Sequence, residues 1–450
     1  MWSPIVFEPL FTAAEMRAAE EAFPGYPESV PELMERAGTA VAREAMRAYP
    51  RARRFVAVCG GGSNGGDGKV AVRVLREAGR DADVSEGLEG ADVVIDALFG
   101  TGFHGEPRPE AAALIERMNT AGVPIVAVDI PSGVDASTGE VAGPAVRAEL
   151  TVTFHGRKVG LLLAPARFHA GDVVIADIGL ERAPTEHRIV TQDILRLVPR
   201  KGPNDNKYSA GSVLVIGGAP GLTGAVCLAA EAAFRADAGY VAVAVPPASF
   251  PVVEVRLLEA VKRTWDEIDE AAARAGAVAI GPGLGRSDEA RALVARLLAE
   301  LNQPVVLDAD ALFGLEPGDW RPPVVLTPHA GELARLLGEE SEWVDAHRLA
   351  ATQRAVERFG SVCLLKGADT IVAAPGEGVL VRSVNVPALA TAGTGDVLTG
   401  VVAAFLAKGL EPRLAAAAAA TAHGRAAQLT GRTRGLVASD VVASLSAAFG

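Results

Sequence analysis

Along most of this chain, short apolar runs alternate with longer stretches whose apolar residues recur at helical spacing. The pattern predicts helices at 13–23 and 31–48, a strand at 54–59, and a helix carrying Val70, Val72, Val74 and Leu75. Strands at 92–96 and 124–129 flank a further helix at 109–121. A polar, proline-marked stretch at 183–206 then reads as a link. Beyond it a second series begins, with strands at 212–216, 240–245, 277–280, 304–308, 323–326 and 361–365. Helices at 222–237, 287–301 and 343–359 alternate with these strands, and the chain is helical from 393 onward. Continuous apolar strands separated by helices imply parallel sheets covered on both faces, so the expected class is α/β, with domains at 1–195 and 205–450.

Composition narrows the function. Of 450 residues, 49% are hydrophobic and 22% charged, enough to bury a large interior. The formal charge of -12, with Lys and Arg scattered, argues against nucleic acid as a partner. Cys59, Cys227 and Cys363 lie far apart in apolar company, as expected of reduced thiols, and no apolar run is long enough to span a bilayer. These features predict a cytoplasmic enzyme without membrane association, acting on small molecules, and as an acidic α/β protein a homo-oligomer.

Candidate chemistry clusters at predicted strand ends. Gly60 to Gly68 holds six glycines in nine residues between a strand and a helix, the setting in which backbone amides wrap a phosphate. Asp96-Ala-Leu-Phe-Gly-Thr-Gly102 and Asp129-Ile-Pro-Ser-Gly133 follow at two more strand ends. In open parallel sheets such ends line one crevice, which would gather Asn64, Asp96, Asp129 and Ser132; oxygen donors of this kind suit a hard cation. In the second series, Ala392-Gly-Thr-Gly-Asp-Val-Leu-Thr-Gly400 precedes an apolar helical run. Its amides and the helix dipole can hold a phosphoryl group beside Asp396.

The N-terminal set, Ser63-Asn64-Gly65-Gly66-Asp67-Gly68 with the two aspartate segments, closely resembles the NAD(P)H-hydrate epimerase family. Supporting matches are Met16 with Glu20, Leu33 to Gly38, and Lys158 after Thr153-Phe154. The resemblance implies a Rossmann-like domain that interconverts the R and S hydrates of NADH and NADPH. It implies that Asn64, Asp96 and Ser132 ligate K+, and that Asp129 is the acid/base group. Ser63, Asn64, Gly65, Gly66 and Asp67 would hold the hydrate, together with Gly100, Thr101, Gly102, Phe103, His104, Gly105 and Glu106. Ser63 stands where that family often has asparagine.

The C-terminal motifs are Asn206 to Gly218, Gly281-Pro-Gly-Leu-Gly285, Asp308-Ala-Asp-Ala-Leu312, Thr327-Pro-His-Ala-Gly-Glu-Leu333, Lys366-Gly-Ala-Asp-Thr370, Asn385 to Thr391, and the Gly-Thr-Gly-Asp loop. Together they resemble the ribokinase-like superfamily, and within it the ADP-dependent NAD(P)H-hydrate dehydratases. That implies a three-layer α/β/α domain in which Ala225, Gly283, His329 and Asp396 meet the hydrate. Lys366, Gly367, Ala368, Asp369, Thr370 and Gly395 would hold ADP, with Mg2+ on the nucleotide. Asp396 would deprotonate the ring hydroxyl for attack on the terminal phosphate of ADP, and elimination of the ester would restore the double bond. Asn206 stands where a histidine commonly precedes the lysine. Two other readings share these residues: a small-alcohol kinase at the C-terminal end, and a nucleotide-binding or scaffolding module at the N-terminal one.

Overall fold

In a parallel sheet packed on both faces, alternate residues of a strand feed different cores, and the strand Arg54–Cys59 does so: Phe55 and Ala57 join one apolar cluster, Val56 and Val58 another. The computed structural model describes residues 6–181, 183–384 and 386–449. The chain divides into two compact units. The first comprises Pro9–His187 with Asp345–Leu349; the second comprises Arg188–Val344 and Ala350–Gly450 with the described residues before Pro9.

The first unit carries a six-stranded sheet in the order Asp81–Val84, Arg54–Cys59, Val93–Ala97, Ile125–Val128, Leu150–Phe154, Asp172–Ala176, parallel throughout. The three strands Val93–Ala97, Ile125–Val128 and Leu150–Phe154 are buried at every position. Helices Val30–Ala48 and Ser63–Glu77 supply Val41 and Leu75 to one face, and helix Pro109–Thr120 supplies Ile115 and Met118 to the other.

In the second unit seven parallel strands run in the order Val261–Thr264, Tyr240–Val245, Ser212–Ile216, Ala277–Ile280, Val305–Leu307, Val324–Leu326, Val362–Leu365. Two antiparallel strands, Asp369–Ala373 and Leu380–Ser383, extend it. Helix Thr394–Ala407 is apolar on every side and is buried from Val397 through Leu406. Alanines 415–420 are all buried in helix Pro412–Leu429, so this run serves close packing as well as helix propensity.

Three local expectations change. Ser63 to Gly68 do not form a free loop but the first turns of helix Ser63–Glu77, because a residue at Gly62 already has the extended cap conformation. The stretch at 183–206 contains a strand, His187–Val190, and a 3-10 segment, Gln192–Leu197. The helix expected at 343–359 breaks at His347 into Ser341–Ala346 and Arg348–Phe359. Among the described residues, no helix is long and apolar enough to cross a membrane.

Candidate active sites

Both constellations form at the carboxyl ends of parallel strands. In the first unit, strand Arg54–Cys59 ends at Gly60, whose carbonyl oxygen would lie 1.9 Å from a Cβ at residue 65. Only glycine at 65 allows the helix to start against that loop. Asn64, 8% exposed, donates from its side-chain amide to the Phe99 carbonyl at 2.8 Å. Gly100 follows directly, packed against the Asn64 side chain. The segment then opens outward: Phe99 stacks on Phe103 at 4.8 Å, while Gly102, His104, Gly105 and Glu106 are exposed and Thr101 is half-buried.

Asp96 ends strand Val93–Ala97 as a fully buried carboxyl. It accepts from the Ser132 hydroxyl at 2.6 Å and the Ser132 amide at 2.8 Å; the same hydroxyl oxygen accepts from the Phe99 amide. Burial pushes Asp96 up to about 6, against those hydrogen bonds. The hydrogen-bond donors on Asp96 are neutral, and among the described residues no cation pairs with it. The Ser132 hydroxyl, Phe99 carbonyl and Asp96 carboxyl bring oxygen donors together here, of the kind that suit a hard cation. Among the described residues no three His, Cys, Asp or Glu side chains cluster as a ligand set.

Asp129 follows strand Ile125–Val128 in the left-handed backbone region, φ 65°, a conformation costing a non-glycine residue about 1–2 kcal/mol. Its amide still joins the sheet through Val152, and its Oδ1 accepts from the Thr153 hydroxyl at 2.9 Å, the Phe154 amide and Lys158. Lys158 is fully buried, and its ammonium also donates to Thr153 at 2.8 Å and the Phe154 carbonyl at 2.9 Å. Backbone strain held by so many contacts is of the kind found at functional sites.

In the second unit, Gly393 caps helix Thr394–Ala407 with φ 88°; a Cβ there would lie 2.8 Å from Leu228. Gly395 and Asp396 occupy the first turn of that helix. The Lys366 ammonium stands 3.4 Å from where a Cβ at 395 would be, bonds Asp308 Oδ1 at 2.8 Å and approaches Glu332 at 3.7 Å. Asp308, 1% exposed, also accepts from the Thr399 hydroxyl at 2.6 Å, one turn along the same helix. Burial works to lower Lys366, but Asp308, Glu332 and Asp396 hold it above the usual lysine value. Asp396 is pushed up to about 7 by burial and by Asp308, with Lys366 opposing.

Other expected positions fall around this centre. Gly283, φ 61°, packs on Leu222, the residue preceding helix Thr223–Arg235, where Ala225 lies in the first turn. His329 caps helix Ala330–Leu337, accepting the Gly331 amide on Nδ1 while its own amide donates to Glu332. Gly367 and Ala368 are exposed, Thr370 is half-buried, and Asp369 is fully buried at the start of its strand. Asn385 lies outside the described residues. Glu332 and Thr399 were not singled out from the sequence, and Lys158 only as a supporting match. Burial of Lys158 has no local signal beside Arg157, whereas Glu332 and Thr399 stand only as polar residues within longer motifs.

Comparisons with known proteins match both units. A family model described as NAD(P)H-hydrate dehydratase matches residues 213–447, and one described as YjeF-related protein N-terminus matches 30–89 and 80–160. The bifunctional NAD(P)H-hydrate repair enzyme Nnr of Moorella thermoacetica is 37% identical over 90% of this chain and 88% of its own. Its Escherichia coli counterpart is 35% identical over 92% and 88%. A solved ADP/ATP-dependent NAD(P)H-hydrate dehydratase from Bacillus subtilis, co-crystallized with ATP/Mg2+, is 28% identical with a TM-score of 0.54, over 58% of this chain and 96% of its own. A ribokinase-like superfamily protein from Enterococcus faecalis is 26% identical with a TM-score of 0.54, over 60% of this chain and 97% of its own, which gives the second unit its ribokinase-like fold. With both halves matched and relatives aligned over nine-tenths of its length, the chain belongs to the family of bifunctional NAD(P)H-hydrate repair enzymes.

Proposed function

We propose that this chain repairs hydrated nicotinamide nucleotides, with residues 1–195 interconverting the R and S hydrates of NADH and NADPH and residues 205–450 dehydrating the S form at the expense of ADP. The observation that carries the second activity is a carboxyl raised to about 7, Asp396, beside the half-buried Lys366 ammonium at a helix N-terminus. At that value Asp396 is poised near neutral pH to accept the ring hydroxyl proton as the oxygen attacks the terminal phosphate of ADP. The amides at Gly393 to Gly395 and the Lys366 charge then stabilise the transferring phosphoryl group, and AMP leaves. The phosphate on the hydrate is a far better leaving group than hydroxide, so elimination restores the double bond. Asp308 already carries Lys366 and Thr399, so Mg2+ is assigned to the nucleotide phosphates, whose charge it would neutralise.

Lys366 to Thr370 and Gly395 are assigned to ADP; Ala225, Gly283, His329 and Asp396 to the hydrate. In the first unit Ser63 to Asp67 and Gly100 to Glu106 take the hydrate, and Asp129, held by Lys158, is the acid/base group. Asn64, Asp96 and Ser132 are the K+ ligands; the ion would supply the positive charge that Asp96 lacks. A small-alcohol kinase could use the Asp396 loop, but it has no use for the Asp129 constellation. The test is conversion of an R,S hydrate mixture to NADH with matching AMP release in the presence of ADP, Mg2+ and K+. Failure with both ADP and ATP would refute the assignment.

A further inference from the structure

One buried acid of the hydrate-binding segment has no assigned part in the proton transfers. Asp67 lies in helix Ser63–Glu77, 8% exposed, and its carboxyl makes no hydrogen bond or ion pair among the described residues. The charged groups facing it are Asp129, from the end of strand Ile125–Val128, and Glu20, from helix Ala13–Glu21; Lys158 in turn faces Asp129 and Glu20. Two carboxyls carried by different elements therefore lie within electrostatic reach of each other, in different settings. Oδ1 of Asp129 accepts from three donors, whereas the Asp67 carboxyl has none among the described residues.

Inversion of a carbon bearing a hydroxyl requires proton transfer on both faces of the ring, and one fixed carboxylate reaches one face. We propose that Asp67 is the second catalytic residue of the epimerase site, working on the ring face opposite Asp129. The proposal rests on the epimerase reading and deepens it. In one direction the Asp67 carboxylic acid donates its proton to the hydroxyl, the carbon–oxygen bond breaks with release of water, and the ring-nitrogen lone pair forms a carbon–nitrogen double bond. Water adds from the other face, its oxygen bonds the same carbon, the nitrogen regains its pair, and Asp129 takes the proton. The opposite direction runs with Asp129 as acid and Asp67 as base, so no oxidant or further reactant is needed. Burial, Asp129 and Glu20 push Asp67 up to about 8, which keeps it protonated at neutral pH.

The test uses the full chain with K+, separating the R and S hydrates chromatographically over time in the absence of ADP. Asp67→Asn is expected to interconvert the epimers about 100-fold more slowly or worse, with kcat falling by more than KM rises, while S-hydrate dehydration is unchanged. Asp67→Glu should recover part of the rate. In wild-type protein the epimerisation rate should fall as pH rises through about 8. In 18O water, one labelled oxygen should enter per inversion. A wild-type rate in Asp67→Asn, or inversion without label, overturns the proposal; should that variant fail to fold or bind, a wild-type rate that stays level across the limb near 8 overturns it instead. Wild-type protein that leaves the epimers unchanged would show that the epimerase reading itself has failed, an outcome distinct from any defect confined to the Asp67 variants.

Discussion

Replacing Lys366 with methionine removes one charge while keeping most of the volume of the stem, and the structure separates its consequences. The ammonium is 2.8 Å from Asp308 and lies against Gly395, where the phosphoryl group would be held. Losing a preorganised donor of this type costs about 3–4 kcal/mol in the transition state, a fall of about 100- to 1,000-fold in kcat. Asp308, almost fully buried, would keep only the Thr399 hydroxyl as partner, and breaking a buried pair costs about 3–5 kcal/mol. Partial access of water to Lys366, whose side chain is 19% exposed, places the stability loss at the lower end, about 3 kcal/mol. For a unit of this size that corresponds to about 6–12 °C in the unfolding of the second unit. Lys366 also opposes the raised value of Asp396, so the pH at which Asp396 ionises should move above about 7 in the variant. The assay is S-hydrate dehydration across pH, with thermal unfolding alongside, in Lys366→Met, Asp308→Asn and the double variant. The double variant should recover stability without recovering rate. A Lys366→Met enzyme with near-wild-type kcat and an unmoved pH profile would refute the reasoning.

Three further outcomes are expected. The kcat for S-hydrate dehydration should rise with pH through about 7, because Asp396 must lose its proton to act as base; a rate already level below that value would remove Asp396 from the role. As the folded value lies above the ordinary 3.8, the folded chain keeps a proton that the unfolded chain releases, so this group's contribution to stability falls as pH rises from about 4 to about 7, measurable by denaturant unfolding. Exchanging K+ for tetramethylammonium should slow epimerisation and leave dehydration of the S form unchanged, and Asp96→Asn should abolish the K+ dependence; an equal loss in both activities would contradict the assigned ligands. Gly65→Ala should destabilise the first unit by about 1–3 kcal/mol in calorimetry, since its methyl would meet the Gly60 carbonyl at 1.9 Å.

The strand ends were readable in the sequence because glycine, aspartate and asparagine interrupt otherwise apolar runs there, and tight turns at a crevice require those residue types. Gly281, Asp96 and Asp129 are of this kind. Contacts closed by tertiary structure were not readable. Thr399 sits in an apolar helical run and meets Asp308, 91 positions away, only once the helix is laid on the sheet. Lys158 follows an arginine and has the look of a surface pair, yet it is fully buried by Asp129, Thr153 and Phe154. The antiparallel strands Asp369–Ala373 and Leu380–Ser383 escaped notice because each is short and the turn between them carries no alternation of its own. Asp67 was readable as part of a glycine loop; its burial without a hydrogen-bond donor among the described residues was visible only in three dimensions.

The central claim is that two separate sites act in sequence on one damaged nucleotide, and the direct measurement is recovery of NADH from an R,S hydrate mixture with ADP, Mg2+ and K+, faster than spontaneous epimerisation. Wild-type chain should convert both epimers with one AMP per NADH, Asp129→Asn only the S share, and Asp396→Asn neither. Full conversion of both epimers by Asp129→Asn, or NADH recovery without AMP, would contradict the account.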